Sequence, residues 1–322
     1  MSRAQPLPPP LGDGAFRIAE ARELGVSRSR MRASDLVAPT RGVRVLRRPS
    51  DVVDVVSETP SQRMERVQGD LRRRAEQFAP ALTPDQFYSG ATGLALLGAP
   101  IPYTTADQLE LHVAARHPAG KPRRAGVSGH RLGARPPDRW LVRGLPIEHP
   151  ARLWRQAAED WRLDDLIAAG DHLVLPRRRL VSLADLEDEA AASTLRSALL
   201  VQALAEIRIG AESPGETRLR LLLTRAGLPL PELNWNLSRD DGRFIARLDL
   251  AWPRYRVASE YDGRVHASDE QFARDADRWD EIRDVDWSLV RVLSHHVRPS
   301  PQVALDRVSR ALFDAGWRPG RD

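Results

Sequence analysis

Cysteine is absent from the 322-residue sequence, so disulfides and thiolate metal sites are excluded. Lysine is nearly absent too: Lys121 is the only one, and the rest of the 49 basic residues are arginine. GC-rich coding explains arginine in place of lysine, but not where the arginines sit. No apolar run approaches the ~18 residues that a membrane span needs, and the leading MSRAQPLPPPLGDG lacks the apolar core of a secretory signal. A cytoplasmic protein without a membrane partner is therefore expected. What is present is globular: 42% hydrophobic residues, in a chain long enough for two or three domains.

The positive charge is unevenly placed. Residues 1–50 carry ten arginines against four acidic residues, whereas 51–210 balance at 21 and 21, and 211–322 carry 18 arginines against 19 acids. A basic excess confined to one end points to a DNA partner for that end. After a proline-rich lead (1–14) expected to be disordered, residues 15–50 read as helix, turn, helix and wing. Phe16, Ala19 and Leu24 make an apolar stripe, Gly25 breaks the first helix, and Ser27 is placed to cap a second. That second helix carries Arg28, Arg30, Met31 and Arg32, with Arg28 and Arg32 on one face. With Arg41 and Arg44 in the wing, these arginines form the expected DNA-binding set. The structural alternative is a small helical hairpin packed against the body.

Residues 51–80 read as a connector helix with a charged face. Residues 81–205 read as a mixed α/β region with no catalytic constellation, for which a protein partner is the remaining expectation. His112, His130, His149 and His172 lack metal-ligand spacing, and Arg177, Arg178 and Arg179 read as a solvated loop.

The last third is richer in chemistry. Ser213-Pro214-Gly215-Glu216 opens a helix, with Ser at the N-cap, Pro at N1 and Glu at N3. Glu216 thus has two readings, a capping residue and an outer metal ligand. Two strands joined by a tight turn follow, FIARLDLAW and VASEYD. Strict alternation puts Phe244, Ala246, Leu248 and Leu250 on one face of the first, with Ile245, Arg247 and Asp249 on the other. In the second, Val257 and Tyr261 oppose Glu260 and Asp262. Asp249 opposite Glu260 would bring three carboxylates to one patch, where a cation relieves their repulsion. A solvated acidic hairpin is the alternative. A helix over about 268–283 is expected to pack Phe272, Ala276 and Trp279 inward and to present Arg274 and Arg278. SLVRVL is a further strand, and a helix closes the chain.

In this order Glu216, LDLAW, EYDGRVH, QFARDADRW, DW and VRV resemble the PD-(D/E)XK nuclease superfamily. More narrowly, residues 210–318 look like the bacterial domains related to the very-short-patch-repair endonuclease. GVSRSRMRASDLVAPTRGVRV looks like the winged-helix segment of abortive-infection (AbiEi-like) antitoxin proteins. The pairing is similar to a group of actinobacterial proteins of unproven function. The resemblance implies an α+β multidomain protein: an N-terminal winged helix-turn-helix, a mixed α/β middle region, and a C-terminal αβββαβ restriction-endonuclease-like core.

Carried over by position, the resemblance makes Asp249 the central ligand of Mg2+ (or Mn2+). Glu260 and the Tyr261 carbonyl would be further ligands, with Glu216 acting through water. The superfamily lysine two residues after the acid is missing, and Asp262 stands in its place. That puts the general base in question and leaves His266 or Asp262 to move a proton. Arg274 and Arg278 would hold the scissile phosphate, or else pair with the neighbouring Asp275 and Asp277. The expected function is a metal-dependent DNA endonuclease in repair or defence. The alternatives are a DNA-binding regulator or antitoxin built on a degraded nuclease fold, and a protein-binding module.

Overall fold

The computed structural model describes residues 5–9, 11–47, 60–102, 110–133, 140–263 and 277–320. The fold is α+β, as expected, with three separate sheets. The chain divides into two compact units, Met1–Glu58 with Arg63–Ala157 and Thr59–Gln62 with Ala158–Asp322. The division falls inside the middle region, so its later helices belong with the C-terminal unit. Among the described residues no helix is long and apolar enough to cross a membrane.

The first unit begins with a small sheet of β1 (Phe16–Arg17), β2 (Leu36–Val37) and β3 (Val43–Leu46), with β3 central and both pairings antiparallel. Helix α1 (Ile18–Glu23) follows β1, and Leu11, Phe16, Ala21, Met31 and Leu36 form the local core. The expected second helix is a correction: only a 3-10 turn, Arg30–Arg32, is formed. Arg30 explains the shortfall. Its guanidinium is buried and makes two 2.8 Å bonds to the Asp35 carboxylate, which fixes a tight turn where a helix would run on.

Helix α2 (Pro60–Phe78) leads to a five-stranded sheet of β4 (Gln86–Tyr88), β5 (Leu111–Arg116), β6 (Val127–Leu132), β7 (Trp140–Val142) and β8 (Leu145–Ile147), in the order β6-β5-β4-β8-β7. Helices α3 (Gly90–Leu96) and α4 (Pro150–Ala157) pack together closely. A Cβ on Gly93 would overlap the Leu153 side chain, and Trp154 beside it is fully buried.

The second unit opens with α5 (Leu163–Leu173), α6 (Leu183–Ala191), capped by Ser182, and α7 (Ser197–Glu206). A buried ion pair ties α5 to α8 (Pro214–Arg225): Arg220 Nη2 donates to Asp171 Oδ2 at 2.7 Å. The same carboxylate accepts from Thr217 Oγ1 at 2.8 Å and from the Arg208 N–H at 2.7 Å, so its desolvation is offset by three donors.

A four-stranded sheet follows, β9 (Glu232–Ser238), β10 (Phe244–Trp252), β11 (Val257–Asp262) and β12 (Ser288–Leu293). β9, β10 and β11 are antiparallel neighbours, and β12 lies parallel to β11 at the edge. Helix α9 (residues 277–283) precedes β12, while α10 (Ser294–Val297) and α11 (Pro301–Asp314) follow it. Two cores form. Leu219, Leu250, Val257, Val292, Val308 and Leu312 unite the sheet with α8 and α11, and Leu237, Leu248, Ala251, Ala258 and Ile282 unite it with α9. Burying each such Leu or Val stabilises the fold by roughly 1.5–3 kcal/mol.

The strict alternation expected in β10 is a second correction. Its register against β9 shifts between Phe244 and Ala246, so Phe244 turns out to solvent while Ile245 packs with Ala246 and Leu248. One extra residue in a strand reverses the side-chain order locally.

Candidate active site

The first turn of α8 brings Glu216 to the sheet. Ser213 Oγ accepts the Glu216 N–H at 3.1 Å, and Pro214 occupies N1, where its missing donor costs nothing. Gly215 permits the approach, because a Cβ there would overlap the Tyr261 ring on β11. Glu216 is buried as a result, and its Oε2 accepts from the Glu212 N–H at 2.8 Å and from Asn234 Nδ2 at 3.2 Å. Asn234 reaches it from a left-handed backbone in β9, φ 52°. The Glu212 carboxylate is itself held by Arg247 and by Arg177, the latter at 2.9 Å.

The strands supply the rest. The register Leu250↔Ser259 carries Asp249 to the level of Glu260 on the neighbouring strand. Asp249 Oδ2 accepts the Tyr261 N–H at 2.9 Å, and Arg278 Nη2 of α9 donates to Glu260 Oε2 at 2.6 Å. The parallel pairing of β12 sets Arg291 beside Glu260, and its guanidinium turns to Asp262, with Nε 3.1 Å from Oδ2. Asp249, Glu260, Tyr261, Asp262, Arg278, Trp279 and Arg291 line a pocket of about 160 Å³.

Electrostatics single out two of these acids. The Glu216 carboxyl is pushed up to about 7, first by burial and then by the charge of Asp249. Asp249 is pushed up to about 6, again chiefly by burial. The Tyr261 N–H opposes that shift and the Glu260 charge adds to it. Carboxyls that are desolvated and repel one another retain a proton, or a cation in its place.

Arg278 reaches the pocket and grips Glu260; Asp275, one of the partners weighed from sequence, lies outside the described residues. Trp279, expected to pack inward, lines the pocket instead, and Ile282 is the residue of α9 that enters the core. His266, Arg274, Phe272 and Ala276 lie outside the described residues. Sequence reasoning missed Arg291 and Asn234. Their only signal was strand pairing, which no local periodicity encodes.

In the first unit, Arg28, Arg32 and Arg41 are exposed, as a phosphate contact requires, while Arg44 is half-buried and donates to the Met31 carbonyl at 3.1 Å. Arg30 is a correction, since its guanidinium is spent on Asp35 and faces the interior. His112 and His130, far apart in sequence reasoning, stack across β5 and β6 with Nδ1 and Nε2 3.1 Å apart.

Two uncharacterised proteins of Mycobacterium tuberculosis, MT2308 of the Oshkosh strain and Rv2248 of strain H37Rv, are each 36% identical to this chain over 103 residues. The match covers 32% of this chain, and the chain spans 38% of the length of either relative. No family model and no solved structure matches.

Proposed function

We propose that the chain is a metal-dependent DNA endonuclease that hydrolyses phosphodiester bonds, directed to DNA by its arginine-rich N-terminal segment, in repair or defence. The observation that carries this reading is Asp249 and Glu260 facing one pocket from neighbouring strands, beside two arginines. Further support comes from the order of elements. α8, the antiparallel β9–β10–β11, α9 and the parallel β12 follow one another in the αβββαβ sequence that the nuclease resemblance implies.

The donors fit a hard cation. Among the described residues no three Asp, Glu or His side chains are grouped closely enough to enclose a metal. Magnesium keeps several of its waters and is commonly bound through one or two carboxylates, so Asp249, Glu260 and the Tyr261 carbonyl suffice, with Glu216 acting through water. Mg2+ or Mn2+ held there would acidify a water and neutralise developing charge on the phosphoryl group. Arg278 would exchange Glu260 for the phosphate oxygens. Asp262, in the pocket lining, is one group available to move a proton, and His266, outside the described residues, is the other that the resemblance implies. The exposed Arg28, Arg32 and Arg41 would add tethering charge, raising the local DNA concentration at a domain that is itself slightly acidic.

One observation favours a second reading, a DNA-binding regulator or antitoxin on a degraded nuclease fold: Asp262 fills the place of the lysine and is engaged by Arg291. Calorimetric titration with Mn2+ separates the two. The nuclease reading expects binding that Asp249→Ala abolishes, whereas no binding to the wild type favours the regulator.

A further inference from the structure

A second groove adjoins the carboxylate pocket and shares Trp279 and Arg291 with it. It encloses about 710 Å³, within the usual range of roughly 300–1,000 Å³ for small-molecule sites. α9 contributes Trp279 and Arg283, the following turn Asp286 and Trp287, and β12 contributes Arg291. Both indoles are half-buried and held in place. Trp287 packs against the core around Ala258 and Ile282, and the Arg291 guanidinium sits over the Trp279 ring at 5.2 Å from its centroid.

We propose that this groove takes the bases of unpaired DNA nucleotides flanking the scissile phosphate, so that the substrate is single-stranded, gapped or locally unpaired DNA. This rests on the nuclease reading for the identity of the neighbouring pocket. The chemistry is that of a stacking platform: every base has a π face that stacks on an indole or guanidinium plane without regard to sequence. In an intact duplex those faces are already covered by neighbouring bases, so a groove lined by two tryptophans selects nucleotides that are unstacked. Arg283 is exposed and, among the described residues, its ion pair is with Asp280, one turn back at 2.9 Å. Such a surface pair contributes little, so its guanidinium exchanges readily for a phosphate. Asp286, 3.5 Å from Arg256, repels phosphate but accepts hydrogens from base amino groups. Together these charges turn the bases inward and the backbone toward Arg283 and Arg291.

The test is fluorescence anisotropy on the full chain in EDTA, which separates binding from cleavage. Labelled oligonucleotides of one sequence are offered as intact duplex, gapped duplex, single-stranded DNA and single-stranded RNA. Expected is an affinity for gapped and single-stranded DNA about tenfold above that for intact duplex, with quenching of tryptophan emission. Trp287→Ala should remove most of that preference. Because Trp287 also touches the core, Arg283→Ala, at an exposed position, is measured beside it and should weaken binding to gapped DNA several-fold with an unchanged melting temperature. Equal affinity for paired and unpaired DNA overturns the proposal. So does a preference that survives both substitutions in folded protein, or tighter binding of RNA than of DNA. If the nuclease reading failed, plasmid would go uncleaved while the DNA preference persisted. If only the groove proposal failed, cleavage would persist without the preference.

Discussion

Gly215 in the first turn of α8 lies flat against the ring of Tyr261 in β11, with no room for a Cβ between them. This contact sets the distance between Glu216, one residue further along the helix, and the sheet that carries Asp249. Gly215→Ala is therefore expected to displace the helix start and to destabilise the second unit by about 1–3 kcal/mol, the usual cost of overpacking. Chemical denaturation checks the stability, and manganese affinity in the folded variant should fall as well.

The two shifted carboxyls make stability depend on pH. Glu216 at about 7 and Asp249 at about 6 both lie above their ordinary values of 4.5 and 3.8, chiefly through burial. The fold thus binds these protons more tightly than the unfolded chain does. Their contribution is full below about pH 4 and is lost as pH rises through 6 and 7. Glu216→Gln should flatten that decline and stabilise the metal-free protein at pH 7.5 by on the order of 1–3 kcal/mol. Thermal melts at pH 5 and pH 7.5 read the difference. Mg2+ or Mn2+ added at pH 7.5 should restore wild-type stability and leave the pH 5 melt nearly unchanged.

Asp171 and Arg220 are both almost fully buried and paired, and Asp171 also accepts from Thr217 Oγ1 and the Arg208 N–H. Removing one member leaves the other's buried charge without its counter-ion. Arg220→Ala is expected to cost about 3–5 kcal/mol, and Asp171→Ala a similar amount. In a double-mutant cycle the second substitution should cost far less than the first.

The N-terminal arginines should separate into two classes. Arg28→Ala, Arg32→Ala and Arg41→Ala, at exposed positions, should each weaken DNA binding and lower the salt slope by about one. Arg30→Ala should instead lower the stability of the first unit by about 1–3 kcal/mol, because it breaks the paired contact with Asp35. Gel shifts across a salt series, together with melting curves, distinguish the classes.

The parts legible in the sequence were those with local causes. The Ser213-Pro214 cap announced the start of α8, and a period of two placed Asp249 and Glu260 on adjoining strands with Glu260 and Asp262 on one side. What was hidden depends on partners distant in the chain. Arg291 enters the pocket through parallel pairing with β11, and its partner Asp262 lies 29 residues away. The tie between α5 and α8 spans 49 residues from Asp171 to Arg220, so helices that read as part of a middle region fold with the C-terminal unit. Arg30 misled because periodicity shows which residues share a helix face, not whether an Asp five residues on will draw one of them inward. Phe244 misled because a bulge leaves no mark on the hydrophobic pattern.

The most direct measurement is cleavage of supercoiled plasmid in Mg2+ or Mn2+ by the wild type, Asp249→Ala and Glu260→Ala, with folding of each checked by its melt. Nicking by the wild type that is lost in both variants and in EDTA is the expected result. Nicking that survives Asp249→Ala and Glu260→Ala, or a wild type that neither binds the metal nor cuts, would contradict a nuclease centred on these two carboxylates.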